Sequence, residues 1–160
     1  MTLADLQVGA ALEATQDVTA ERTASHIGSG ALRVYATPAM VLFVERTCRD
    51  LVEPHLGPGQ TTVGVELRVR HLAPTPLGSV VRQRAEVVAI TGETIDFRAR
   101  LWDEQDQVGE VEHRRRVIDV DRFLKRVEAK AGMSLTPYPS PAERERSTDR
   151  SGEGSEKLYG

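Results

Sequence analysis

The spacing of apolar and polar residues changes character at Gly59. Before it, TPAMVLFVERTCRDLVEPHL predicts a helix from Thr37 to about Leu56. Thr37 suits an N-cap, Pro38 suits the first helical position, and the following glycine and proline stop the helix. Its first two turns carry an unbroken apolar run, Ala39 to Val44, so that end must be surrounded on most sides. Arg46, Arg49, Asp50 and Glu53 give the later turns a polar side.

After Gly59 the period is two, as in half-buried antiparallel strands. Residues 61–73 set Val63, Val65, Leu67 and Val69 against Glu66, Arg68 and Arg70. Residues 79–91 put Val81, Ala85, Val87 and Ala89 inward, and TGE makes a short hairpin into residues 94–102, with Ile95, Phe97, Ala99 and Leu101 inward. DEQDQ turns the chain into a further strand over 108–120. Ahead of the helix, residues 11–19 read as a strand and 20–33, rich in small and turn-forming types, as a loop or cover. Asp121 is placed to cap a short amphipathic helix ending near Gly132. The remainder, rich in Pro, Ser, Gly and charge, is expected to be disordered, which divides the chain into a domain over 1–131 and a tail over 132–160.

Strand, loop, buried helix and four-stranded meander together describe an α+β domain: an antiparallel sheet of about five strands wrapped around one long central helix, the hotdog architecture. One helix cannot cover such a sheet, and its edges need partners, so a homodimer joining two sheets is expected, alone or paired further into a tetramer.

Composition narrows the function. The 160 residues are 39% hydrophobic and 28% charged with a net charge of −3, which speaks against a nucleic-acid partner. A single cysteine, Cys48, excludes an intrachain disulfide framework or a multi-cysteine metal site. The amino-terminal stretch has no basic start of the secretory kind, and the longest apolar run is too short to cross a bilayer, so no membrane association and a cytoplasmic location are expected.

Against this ordinary background a few polar residues break the pattern. Glu45 follows directly on the buried run, and His71 continues the inward set of Leu67 and Val69. A buried carboxylate must be paired or used, and an imidazole facing the same helix is the obvious partner, so Glu45 and His71 are expected to form a proton-transfer pair. Thr37 stands at the mouth of the helix N-terminus, where free N–H groups around Ala39 and Met40 would meet a developing oxyanion. Thr37 and Glu45 are eight residues apart, about 12 Å of rise and roughly 80° of rotation along one helix, so they should not touch. The outward arginines, Arg68, Arg70, Arg82, Arg84, Arg98 and Arg100, read as members of cross-strand ion pairs.

The segments VYATPAMVLFVERTC, GVELRVRHLAPTPLG and GEVEHRRRVIDVDRF closely resemble the fluoroacetyl-CoA thioesterase-like branch of the hotdog acyl-CoA thioesterases. The resemblance implies thioester hydrolysis by a dimer without metal or other cofactor. It implies Thr37, Glu45 and His71 as the catalytic three, Gly64 beside the substrate, and Arg115 within the pattern His113, Arg114, Arg115. The acyl group of the acyl-CoA substrate stays open. The alternatives are a non-catalytic acyl-CoA-binding dimer and an enoyl-CoA hydratase or dehydratase. The second needs an acid beside a histidine ahead of the helix, where only His26 is found.

Overall fold

The computed structural model describes residues 2–132. Strands β1 (Ala11–Asp17), β2 (Gln60–His71), β3 (Val80–Thr91), β4 (Thr94–Trp102) and β5 (Gln107–Asp119) form one antiparallel sheet in the order β1-β3-β4-β5-β2. Between β1 and β2 lie a one-turn helix α1 (Ala24–Ile27) and the long helix α2 (Thr37–Val52), and α3 (Val120–Ala131) follows β5. The described residues divide into two units, 2–120 and 121–132. In the second, α3 is closed by Gly132, which has a positive φ and whose N–H bonds the Glu128 carbonyl at 2.8 Å. The expected tail, apart from Gly132, lies outside the described residues.

Helix α2 crosses the concave face, touching β1, β3, β2 and β5. It buries Ala39, Met40, Phe43, Val44, Thr47, Cys48 and Val52 against an inner sheet layer that includes Val81, Ala85, Val87, Ile95, Phe97, Ala99, Leu101, Val111 and Val117. Its early apolar run therefore does what its composition demands, except that Leu42 stays 47% exposed. Gln83 is the polar exception on the inner layer: fully buried, it donates to the Phe43 carbonyl at 3.0 Å and to Thr47 Oγ1, tying strand to helix.

The expected period of two fails at three places for one reason, an inserted residue. In β5 it is Val108, skipped between Gln107↔Trp102 and Gly109↔Leu101, so that Val108 and Gly109 are both buried. In β2 the pairing jumps from Gly64↔Arg115 to Glu66↔Arg114, so Val65 is an unpaired bulge residue. A one-residue insertion flips the face of everything on one side of it. Leu67, Val69 and His71 do face the helix, but upstream the inward residues are Thr62 and Gly64. Val63 and Val65 leave the predicted core set, and Val65 is 54% exposed. A further bulge between Val87 and Ala89 turns Ala89 away and brings Ile90 opposite Ile95. The loop expected over 20–33 contains a 3-10 turn, Ala20–Arg22, as well as α1. Bridges Thr23↔Tyr35 and Val34↔Pro76 hold it beside the chain that leaves β2 after His71.

Among the described residues, no helix is long and apolar enough to cross a membrane. The outward arginines are exposed, and two of the six form cross-strand ion pairs: Arg70 with Glu110 at 3.1 Å, and Arg84 with Glu13 at 3.5 Å.

Candidate active site

Thr37 is the first residue of α2 rather than its cap; that place belongs to Ala36, which has no side chain able to cap. The reason is that the Thr37 hydroxyl is engaged elsewhere, lying 2.8 Å from His71 Nδ1 at the end of β2. A hydroxyl committed to an imidazole across the sheet is not available to its own first turn. His71 stands edge-on to Tyr35, with ring centroids 6.4 Å apart. Its Nε2 is buried and has no hydrogen-bond partner among the described residues. Burial holds the imidazole below its ordinary pKa, opposed by the Ala73 backbone, so the ring favours the neutral form.

The helix N-terminus also differs from expectation. The Met40 N–H is bonded to the Ala36 carbonyl at 3.0 Å, and the Met40 side chain lies fully buried over Gly109. Met40 is thus a core residue and not a free donor. Ala39 N–H has no acceptor among the described residues.

Glu45, two turns further along α2, is half-buried and lies with a different set of groups. Its Oε1 is 3.8 Å from Arg115 NH1 and 3.9 Å from His113 Nε2. The expected Glu45–His71 pair is therefore not found within one chain. Each of the two has other neighbours.

Arg115 is anchored from below. Its Nε donates to Thr62 Oγ1 and its NH2 to the Thr62 carbonyl, both at 2.9 Å, while NH1 reaches His113 Nε2 at 3.2 Å. His113 Nδ1 lies 2.9 Å from the Glu66 carbonyl. A carbonyl can only accept, so Nδ1 carries the proton, and a neutral ring then offers Nε2 as the acceptor for Arg115. Burial holds His113 below its ordinary pKa, and the Arg115 charge adds to that against the pulls of Glu66 and Glu45. With a neutral imidazole, the 3.9 Å approach to Glu45 is a contact and not an ion pair. The cation facing Glu45 is Arg115, which stays charged although burial lowers its pKa.

Gly64 completes this set. A Cβ built there would lie 2.5 Å from Glu45 Oε1 and 3.1 Å from His113 Cε1. The carboxylate occupies the space that any side chain would fill, and a glycine is the only residue compatible with its position.

The chain thus carries two clusters along one helix: Thr37 with His71 at its N-terminus, and Glu45 with Arg115, His113, Thr62 and Gly64 further on. His113 and Thr62 were not singled out as site residues from sequence. The alternation Val111, His113, Arg115, Val117 places His113 inward as surely as Arg115, and only the bulge hides Thr62. Among the described residues no group of His, Cys, Asp and Glu is arranged to hold a metal ion.

A five-stranded antiparallel sheet wrapped on one helix, with a carboxylate and a hydroxyl–imidazole pair along that helix, defines a hotdog-fold domain with a hydrolytic type of site. The chain belongs to the fluoroacetyl-CoA-specific thioesterase (FlK) family, whose model matches residues 18–121. It is 34% identical over 97 residues to the fluoroacetyl-CoA thioesterase of Streptantibioticus cattleyicolor, spanning 61% of this chain and 70% of that protein. A solved structure of a fluoroacetyl-CoA thioesterase superposes with a TM-score of 0.74 at 29% identity, covering 82% of this chain and 98% of that one. A variant of that enzyme in complex with fluoroacetate and CoA gives 0.71 at 30% identity, over 74% and 99%. A hot-dog-like protein from Thermanaerovibrio acidaminovorans, 22% identical with a TM-score of 0.74 over 78% of this chain and 93% of that one, shares the fold.

Proposed function

We propose that this protein is an acyl-CoA thioesterase whose working carboxylate is Glu45 and whose hydroxyl–imidazole pair is Thr37 and His71. The observation that carries the reading is the placement of Glu45: ion-paired with an anchored guanidinium, against a residue without a side chain, in a chain of the fluoroacetyl-CoA-specific thioesterase family. A carboxylate so held is a general base for water or a nucleophile toward a carbonyl carbon. As base, Glu45 takes a proton from water while the water oxygen bonds to the thioester carbon. The carbon–sulfur bond then breaks, and the thiolate of CoA takes up the proton. As nucleophile, Glu45 Oε forms a mixed anhydride as the thiolate leaves, and water then cleaves the anhydride. The Ala39 N–H and the Thr37 hydroxyl are suited to the carbonyl oxygen as it gains charge.

The two clusters are separated by about 12 Å along α2. We infer a homodimer in which Glu45 of one protomer works with the Thr37–His71 pair of the other. Support comes from β2, a twelve-residue strand at the edge of the sheet, and from the exposed apolar Val65 and Leu42, on that strand and on α2. A cytoplasmic location and the absence of any resident cofactor complete the proposal.

The test is release of CoA thiol from acetyl-, fluoroacetyl-, medium-chain and aryl-CoA by wild type and by Glu45→Gln. Turnover by wild type of at least one substrate, lowered about 10²- to 10⁴-fold in the folded variant, is expected. Binding without any thiol release would instead favour the non-catalytic acyl-CoA-binding dimer.

A further inference from the structure

Three candidates outside the reacting groups stand out. The convex face has a depression of about 280 Å³ lined by Arg68, Arg70, Arg98 and Arg100, but Glu110 and Glu112 run between them and nothing there points to a ligand. The buried Cys48 is a lone thiol within the core. The third, the inner polar chain of β5 and β2, carries more.

A buried histidine on an inner strand face is ordinarily a core residue with its nitrogens satisfied. His113 has both nitrogens engaged, but neither partner is incidental. One is the carbonyl of Glu66, the first paired residue after the β2 bulge; the other is the guanidinium that faces Glu45. The ring itself is clamped, stacked on Phe97 at a centroid distance of 6.2 Å and an interplanar angle of 29°, with its side chain fully buried. Its orientation leaves one lone pair, at Nε2, and that lone pair meets Arg115 NH1, the same nitrogen that lies 3.8 Å from the Glu45 carboxylate. The other two guanidinium nitrogens are held by Thr62. All three nitrogens of Arg115 are thus directed, and only NH1 is shared, between His113 Nε2 behind it and, in front, the Glu45 carbonyl at 3.5 Å and the Glu45 carboxylate at 3.8 Å.

We propose that His113 is a positioning residue: fixed as the Nδ1–H tautomer by the Glu66 carbonyl, it uses Nε2 to aim Arg115 NH1 at Glu45, and so sets the carboxylate where the thioester is attacked. The inference rests on the assignment of Glu45 to the reaction. It goes beyond that assignment by giving the His113 ring, through Arg115 and Thr62, control over catalytic geometry without contact with substrate. Thr62 acts in the same sense on the far side of the guanidinium, and the β2 bulge is the backbone feature that presents the Glu66 carbonyl to the ring.

The experiment compares His113→Phe and His113→Gln with wild type, all full-length, in thiol-release kinetics and thermal melts. Phenylalanine keeps the stacked ring and removes the acceptor; glutamine supplies a carbonyl oxygen that can accept from Arg115. A displacement of about 1 Å in a reacting group costs up to about 100-fold in rate. The expected result is a kcat lowered about 10- to 100-fold in His113→Phe with KM within about 3-fold of wild type, and partial recovery of kcat in His113→Gln. A folded His113→Phe with wild-type kcat, or a His113→Gln no better than His113→Phe, overturns the proposal. The tautomer is read separately, from the ¹⁵N shifts of the His113 ring in the wild-type chain. The Nδ1–H form is expected, and an Nε2–H form overturns the proposal whether or not either variant folds. Loss of turnover on Glu45→Gln tests the functional reading itself. An active Glu45→Gln would remove that reading while the tautomer measurement still decides how Arg115 is held.

Discussion

Replacing Gly64 with alanine tests the placement of Glu45 with a single methyl group. The added Cβ would stand 2.5 Å from Glu45 Oε1, and a comfortable contact needs about 3.5 Å, so the carboxylate must retreat by about 1 Å. It is the free end of a flexible side chain and can do so at little cost to the fold. Gly64 does not have a positive φ, so alanine is not strained there, and loss of chain entropy in the unfolded state even favours it slightly. The same Cβ would also stand 3.1 Å from Cε1 of the buried His113 ring, which must give by a few tenths of an ångström. The stability of Gly64→Ala is therefore expected to fall by no more than about 1 kcal/mol, while kcat falls about 100-fold, about 2.7 kcal/mol of barrier. The control is the same change at Gly109, where the Cβ would meet Met40 Sδ at 2.7 Å and Leu101 Cδ1 at 3.3 Å in the core. Overpacking there should cost about 1–3 kcal/mol of stability with a much smaller effect on kcat. Thermal melts and thiol-release kinetics on both variants give the answer. A Gly64→Ala enzyme with undiminished kcat would mean that the position of the carboxylate is not what limits the reaction.

Other outcomes follow from the same geometry. His71 and His113 both have pKa values held below the ordinary 6.5 by burial, so on acidification the unfolded chain takes up protons before the folded one. Stability should fall as pH drops from about 6.5 toward 5, and His71→Asn or His113→Phe should flatten that slope in melts across the range. Burial pushes the Cys48 thiol up to about 12, so the folded protein should not react with a thiol-specific chromogenic disulfide, whereas the denatured chain should titrate one thiol. In single-turnover hydrolysis in ¹⁸O water, label found in the Glu45 carboxylate marks the anhydride route, with water opening the anhydride at the Glu45 carbon.

The elements that a simple period describes were legible in the sequence. Strand β4 carries no inserted residue of its own, and Ile95, Phe97, Ala99 and Leu101 are buried as the alternation predicts. Helix α2 announced itself through Pro38 and its apolar run, although the α-helix stops at Val52 and a 3-10 turn, Glu53–His55, takes the place of the predicted last turn ahead of the Gly-Pro pair. What stayed hidden depended on single-residue events and on distant pairing. The bulge at Val65 has no compositional mark, yet it exchanges Val63 and Val65 for Thr62 and Gly64 on the inner face. The role of Thr37 as a cap was a sound local inference, overridden by a histidine 34 residues away. The neighbour of Glu45 within its own chain was not legible because two imidazoles face the helix, and local pattern does not say which one stands opposite a given turn. It is His113, two residues before Arg115, that does so.

Whether one working site needs both clusters, contributed by two chains, is tested most directly by mixing two inactive proteins. Glu45→Gln and His71→Ala are each purified, combined under conditions that exchange subunits, and assayed for thiol release. A site built across the dimer regenerates one intact site in each mixed dimer, so about a quarter of the wild-type activity per site should return. No activity above that of the separate variants, with exchange verified, would contradict a site shared between protomers.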